Sequence, residues 1–272
     1  MRVKRIDRGQ HTAETQSRFD GLARMVRLCI LMAAIVACAL VPTSASAAEI
    51  GQHTLTFDGR QRTYFTLNPQ TAAGAPLLVL LHGSGGNGLY MARLWEAAAR
   101  EAGIALVAPN SLRSDAWRLS ADGPDFIHEV ILAAQMKMNV DPRRIYLFGQ
   151  SGGAVYALNL AMLEAPYFAA VAVHAGSWRR PEEFRILPFA QRKIPVALIV
   201  GDQDEFFTIA SVRRTERALS AASMTVSVTI VPGQHHWYNA ETAPEINRSA
   251  WDFLKEYALD GLPGYVVYPH AR

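Results

Sequence analysis

The chain has 272 residues, half of them hydrophobic and 19% charged, an ordinary globular composition with enough apolar material for one sizeable core. Its formal charge of +3 misdescribes the body: seven of the 27 basic residues and three of the 24 acidic ones fall within positions 1–47, leaving 20 against 21. A near-neutral body excludes a nucleic-acid or anionic-membrane footprint, and both cysteines, Cys29 and Cys38, lie in the same leader, so a chain without it has no disulfide, thiolate metal site or cysteine nucleophile.

The first element is that leader. An apolar run from Leu28 to Val41 follows Arg24 and Arg27, and Pro42-Thr-Ser-Ala-Ser-Ala47 then supplies small residues of the Ala-x-Ala type, the pattern of a secretion signal cleaved after Ala47. The run is shorter than the roughly 20 apolar residues that span a bilayer. Residues 1–47 are therefore expected to be a cleaved signal peptide and 48–272 one exported domain, periplasmic or extracellular. Two other readings stay open: Met25 as the translation start, and Ile35-Val-Ala-Cys38 as a lipobox that anchors a lipoprotein through Cys38. Contact with a membrane is expected only through an uncleaved or lipidated leader.

Beyond it, His53 to Phe57 and Arg62 to Leu67 alternate around Asp58-Gly59, the signature of a β-hairpin. The pattern then changes to unbroken apolar runs, first at Leu77 to Leu81 and then at Ala105 to Ala108, Ile145 to Phe148, Ala169 to Val173, Val196 to Val200 and Val226 to Val231. Such runs suit strands covered on both faces. Segments of helical period separate them: Met91 to Glu101, Phe126 to Met138, Ala154 to Glu164, Ile209 to Ala222 and Ile246 to Tyr257. The alternation predicts an α/β fold: one mostly parallel sheet with helices on both faces, an antiparallel hairpin at its start and no large lid. The longest irregular stretch late in the chain, Ser177 to Lys193, is short for a lid domain.

In such a sheet the ligand site lies beyond the carboxyl ends of the strands. Gly149-Gln-Ser151-Gly-Gly153 follows one buried run and opens a helix, the setting of a nucleophile elbow. A serine hydroxyl needs a base, and the oxyanion it generates needs fixed donors. His82-Gly-Ser-Gly-Gly86-Asn87 follows the first buried run, so the backbone N–H groups of Ser84 and Gly152 are the candidate oxyanion hole. No Lys-Ser/Thr follows this glycine loop as a phosphate loop requires. His82 is read as a structural hydrogen-bonding residue, because in chain order the base comes last. The acid is expected after the run Val196 to Val200, where Asp204 is preferred at Gly-x-x-Asp and Asp202 is the alternative. The base is expected after the run Val226 to Val231, where His235 and His236 are adjacent.

Four segments, Leu80 to Gly86, Asp141 to Gly153, Gly201 to Asp204 and Pro232 to Tyr238, resemble lidless secreted esterases of the α/β-hydrolase superfamily, grouped with polyhydroxybutyrate depolymerases and feruloyl esterases. Dienelactone-hydrolase-like and prolyl-oligopeptidase-like enzymes are near neighbours. The resemblance covers roughly residues 50–258 and implies the α/β-hydrolase fold; its Gly-x-x-His spacing before an aromatic residue selects His236 over His235. Gln150 and Gly152 lie where relatives vary, and no carbohydrate-binding or polymer-binding module is expected.

The resulting expectation is a serine hydrolase of carboxylic esters using Ser151, His236 and Asp204, with no cofactor or metal, acting on a small or oligomeric ester and binding no nucleic acid. A peptidase of the same fold and a binding protein that has lost catalysis are the alternatives. Trp117, Trp178 and Tyr238 follow strands and are candidates for the acyl or alcohol pocket, core packing being the other reading. For the leader, N-terminal sequencing of exported protein is expected to begin at Ala48; an intact leader contradicts cleavage, and a lipid on Cys38 selects the lipoprotein.

Overall fold

The computed structural model describes residues 49–69 and 74–266; the expected signal peptide, its cleavage site and both cysteines lie outside them. The chain opens with β1 (Gly51–Phe57) and β2 (Arg60–Leu67), an antiparallel pair in continuous register from Gly51↔Thr66 to Phe57↔Arg60. Asp58 and Gly59 join them with φ of 48° and 68°. Two successive positive φ values make the turn whose twist matches that of the strands.

β3 (Ala75–Leu81) is wholly buried and begins the parallel part. It is followed by α1 (Gly88–Ala102), β4 (Ala105–Pro109), the short α2 (Leu119–Asp122) and α3 (Pro124–Gln135). Next come β5 (Val140–Gln150), α4 (Gly152–Leu163), β6 (Ala170–His174) and β7 (Val196–Gly201). The chain then forms α5 (Ile209–Ala221), β8 (Val226–Val231) and α6 (Ala243–Leu254). The strand order is β1-β2-β4-β3-β5-β6-β7-β8. β2 meets β4 antiparallel, and every pair from β4 to β8 is parallel. This is the α/β arrangement expected from the apolar runs, with β3, β5 and β6 at its centre.

The period-2 alternation of the strands sorts the core into two layers. Leu77, Val79 and Leu81 of β3 face the layer formed with α3 and α4, where Phe126, Ile131 and Leu158 are buried. Leu78 and Leu80 face the layer under α1 and α6, with Trp95, Phe148 and Ile246. β5 begins five residues before its apolar run, in the polar segment Val140 to Arg144, which pattern reading had no means to include. The irregular stretch Ser177 to Lys193 contains a 3-10 helix, Pro181–Phe189, with no buried side chain.

One ion pair organises the loop that follows β4. Arg62 Nη2 lies 2.5 Å from Asp122 Oδ1, both side chains nearly inaccessible, and the Arg62 guanidinium sits 3.6 Å above the Phe126 ring. Asp122 also accepts the Leu112 and Arg118 amides, at 2.7 and 3.0 Å, while Arg62 donates to the carbonyls of Asn110 and Ala121. The pair thus ties residues 110–122 to the sheet with its hydrogen bonds satisfied, the condition under which a buried ion pair is tolerated. Removing one partner strands the other. Asp122→Ala is expected to lower unfolding stability by about 3–5 kcal/mol, read from urea denaturation; a loss below about 1 kcal/mol contradicts this role.

Candidate active site

Ser151 follows β5 and precedes α4 with φ 55° and ψ −118°, a backbone conformation that costs a non-glycine residue energy and persists only where its surroundings impose it. The surroundings here are backbone. A Cβ on Gly149 would lie 2.3 Å from the Gly153 carbonyl oxygen, and one on Gly153 would lie 2.2 Å from the Leu81 carbonyl oxygen. Only glycine at both positions lets the elbow close against β3. The Ser151 amide donates to the His174 carbonyl at 3.0 Å, so the turn is held from β6 as well.

Asp204 lies in the loop after β7. Its Oδ1 accepts the Phe206 and Phe207 amides at 2.8 Å each, and His236 Nδ1 donates toward Oδ2 at 3.0 Å. Burial by itself would raise the carboxyl's pKa, but the bonds from His236, Phe207 and Phe206 outweigh it and hold the group below the usual aspartate range. His236 Nε2 in turn lies 2.9 Å from Ser151 Oγ. The structure therefore brings Ser151, His236 and Asp204 into one hydrogen-bonded line.

The neighbouring candidates fall elsewhere. His235 is exposed, its ring 3.9 Å from the Glu205 carboxylate. Asp202 caps the loop by accepting the Gly233 amide at 2.7 Å. The Gln203 amide donates to the Gln234 carbonyl at 3.0 Å, so the loops after β7 and β8 are zipped together and deliver Asp204 and His236 side by side.

Ser84 and Gly152 adjoin one another: a Cβ on Gly152 would stand 2.6 Å from Ser84 Oγ and 3.5 Å from the Ser84 amide nitrogen. The glycine loop around Ser84 is braced by His82, which is buried. Nδ1–H of His82 donates to the Gly83 carbonyl at 2.8 Å, and Nε2 accepts the Ser111 amide at 3.1 Å. Burial lowers the pKa of His82 more than its bond to Gly83 and the charge of Asp122 raise it, so it works as a neutral bracket. Trp117 supports the same loop, donating from Nε1 to the His82 carbonyl at 2.8 Å and stacking on Tyr156.

Beside Ser151 opens a cleft of about 270 Å³, lined in part by Tyr90, Gln150, His236, Trp237 and Tyr238. A larger hollow of about 480 Å³ lies between α1 and α6, by Leu94, Asn247 and Trp251; it adjoins none of Ser151, His236 and Asp204. Of the three aromatic residues considered for a pocket, Tyr238 lines the cleft. Trp178 is wholly buried, with its Nε1 bonded to Asn159, and Trp117 supports the glycine loop from beneath. Trp237, 63% exposed, Tyr90 and Ser111 were not anticipated. His174 was missed too, although it directly follows an apolar run, the position that singled out the other site residues.

A mostly parallel sheet whose central strand leads into a serine at such an elbow is the α/β-hydrolase arrangement, and this chain is a protein of that fold class. More narrowly, it belongs to the dienelactone hydrolase family, whose profile matches residues 112–258. That span contains Ser151, Asp204 and His236; the glycine loop at Ser84 precedes it. Over 148 residues the chain is 33% identical to NocK of Nocardia uniformis subsp. tsuyamanensis, which carries an esterase name; the match takes in 50% of this chain and 42% of that relative. This chain thus spans less than half the length of that relative. Among solved structures, FphF, a fluorophosphonate-binding serine hydrolase of Staphylococcus aureus with substrate bound, superposes with a TM-score of 0.65 at 15% identity, over 77% of this chain and 99% of FphF. An S-formylglutathione hydrolase from Agrobacterium tumefaciens gives 0.62 at 13% identity, over 78% and 98%. At these identities the likeness is one of fold.

The buried histidines set a pH dependence. His82 has its pKa lowered chiefly by burial, as does His174, which is pushed down to about 3 from 6.5. Below pH 6.5 the unfolded chain therefore binds protons at these positions that the folded chain refuses, so stability present above that pH is lost as pH falls. Asp204, with its folded pKa depressed from 3.8, adds a further loss below that value. The urea midpoint is expected to drop steadily from about pH 7 to about pH 4; a midpoint that stays constant across this range contradicts the neutral burial of both rings.

Proposed function

We propose that the protein hydrolyses carboxylic esters through an acyl-enzyme on Ser151. The observation that carries the reading is the continuous line from Ser151 Oγ to His236 Nε2 at 2.9 Å and from His236 Nδ1 to Asp204 Oδ2 at 3.0 Å. Ser151 Oγ attacks the ester carbonyl carbon as His236 Nε2 takes its proton, and Asp204 holds the ring in the tautomer that leaves Nε2 free and then faces the imidazolium. The carbonyl oxygen becomes an oxyanion received by the amides of Ser84 and Gly152. Collapse breaks the bond to the alcohol, which departs with the proton from His236. Water, deprotonated by His236, then attacks the acyl carbon and releases the acid, returning the proton to Ser151.

The cleft supports an uncharged ester group. His236 is its acting base and His82 a neutral bracket, and among the described residues lining it there is no Lys, Arg, Asp or Glu. Short acyl and oligomeric hydroxyacyl esters fit this character, in keeping with the resemblance to polyhydroxybutyrate depolymerases and feruloyl esterases. Export through the leader is part of the same proposal.

Ser151→Ala and His236→Ala are each expected to lower kcat on an activated ester by about four to six powers of ten, and Ser151→Ala to lose fluorophosphonate labelling. His235→Ala, on an exposed side chain, is expected to change kcat about twofold at most. Variants should be compared only with matching circular dichroism and melting. Persistent labelling of Ser151→Ala, or a dead His235→Ala beside an active His236→Ala, overturns the assignment.

A further inference from the structure

Among the described residues, the Phe, Tyr and Trp side chains that stand exposed are Tyr90, Phe189, Phe206 and Trp237. Three of the four gather at the reacting line. Tyr90 and Trp237 line the cleft beside Ser151, and Phe206 lies against the base, its ring centroid 4.7 Å from that of His236. Trp237 stands edge-on both to His236, at 5.7 Å, and to Phe206, at 6.3 Å, so the two rings make a corner next to His236. Tyr90 is tied down by its hydroxyl, which donates to the Tyr238 carbonyl at 3.2 Å. Phe206 and Trp237 are 50% and 63% exposed. A ring left open to water forgoes the burial that favours it in a core, and while single exposed apolar residues need no explanation, a group of them marks a contact surface.

The backbone beneath the corner is fixed although its side chains are open. The Phe206 amide donates to Asp204 Oδ1 at 2.8 Å, and its carbonyl accepts from Arg179 Nη1 at 3.2 Å. The Trp237 carbonyl accepts from Gln234 Nε2 at 2.8 Å. The loops that deliver Asp204 and His236 therefore also present these two rings. The direction of the chemistry says which part of an ester meets them. When the tetrahedral intermediate collapses, the bond from the carbonyl carbon to the alcohol oxygen breaks, the acyl group stays on Ser151, and His236 Nε2 gives its proton to the departing oxygen. That oxygen must come within hydrogen-bond reach of Nε2, so the group it carries extends past the His236 ring and onto its neighbours. The oxyanion is held at Ser84 and Gly152, away from the corner.

We propose that Phe206 and Trp237 form the subsite for the alcohol half of the substrate, and that this half is a flat apolar group, an aryl or arylalkyl alcohol. The inference rests on the reading of Ser151, His236 and Asp204 given above. An aromatic ring entering the corner meets one ring edge-on and the other in offset contact, the two arrangements that aromatic pairs prefer, and the fixed loops leave little to order on binding. A small alkyl alcohol reaches His236 without filling the corner and gains none of this contact.

The test measures kcat/KM on benzyl acetate and ethyl acetate, which form the same acetyl-enzyme and differ only in the alcohol, for the parent, Trp237→Ala, Trp237→Phe and Phe206→Leu, with melting temperatures. The parent is expected to prefer benzyl acetate by about tenfold or more. Trp237→Ala should remove most of that preference, Phe206→Leu should lower it about threefold, and Trp237→Phe should keep part of it. The ratio of ethyl hexanoate to ethyl acetate, which reports the acyl half, should stay within about twofold of the parent's in every variant. Binding without chemistry gives a second readout: 2-naphthalenemethanol should inhibit the parent competitively, with an inhibition constant about tenfold higher in Trp237→Ala. Melting temperatures should match, since both rings are at least half exposed. A benzyl preference unchanged in both Trp237→Ala and Phe206→Leu would overturn the proposal. So would alcohol and acyl ratios collapsing together, which marks a general disturbance of the cleft, or unchanged ratios beside lost adsorption to a polyester film, which marks a face for docking on polymer. A parent inactive on every ester defeats the hydrolase reading and this one with it, whereas an active parent whose preference survives both substitutions defeats only the aromatic subsite.

Discussion

The approach of the Ser151 elbow to the end of β3 is the constraint from which the rest of the site follows. Gly153 abuts the Leu81 carbonyl so closely that a methyl group would stand 2.2 Å from it, and Ser151 is forced to φ 55° at the top of the sheet. That strain is held by buried structure on both sides: the Ser151 amide is bonded to β6, β3 is wholly buried, and so is the stretch of β5 from Ile145 to Gly149 that leads to the elbow. The same approach puts the amides of Ser84 and Gly152 next to one another, since the Ser84 loop leaves β3 at the point where the elbow arrives. One close contact thus both exposes the hydroxyl and assembles the donors that would face its oxyanion.

Electrostatics around the elbow are arranged by burial and hydrogen bonding more than by the number of charges. Asp204 is nearly inaccessible, yet two loop amides and His236 keep it in the ionised range. His82 and His174 are held neutral in the same neighbourhood by desolvation. Burial of those two rings thus keeps positive charge away from the neighbourhood of the Asp204 carboxylate. The buried Arg62–Asp122 pair joins β2 to the segment after β4 and so stabilises the stretch that holds Ser111 against His82.

Much of this was legible before the fold was known. Leu77 to Leu81 and Val196 to Val200 read as buried strands because an unbroken apolar run has no face to give to water, and Asp58-Gly59 read as a hairpin because that turn needs two positive φ values. The beginning of β5 was not legible: Val140 pairs with Ala75 of β3, the register then shifts before Ile145, and the side chains between are too polar to signal a strand. Trp178 was ambiguous for a related reason, as an indole suits a core or a pocket equally until its neighbours are known. Arg62 and Asp122 lie 60 positions apart, and neither residue alone announces a buried partner.

The sequence by itself determined the alternation of strands and helices, the order Ser151, Asp204, His236 along the chain, and the glycines that the elbow requires, because each depends on local pattern or on the covalent nature of a few adjacent residues. Which of two adjacent histidines faces the serine, which of two aspartates meets it, and what His174 touches were decided only by the tertiary structure. A one-residue step in an extended loop reverses the direction of a side chain, and the pairing of the β7 and β8 loops through Gln203 and Gln234 sets that direction. Such pairing depends on the packing of distant strands, which local pattern does not encode.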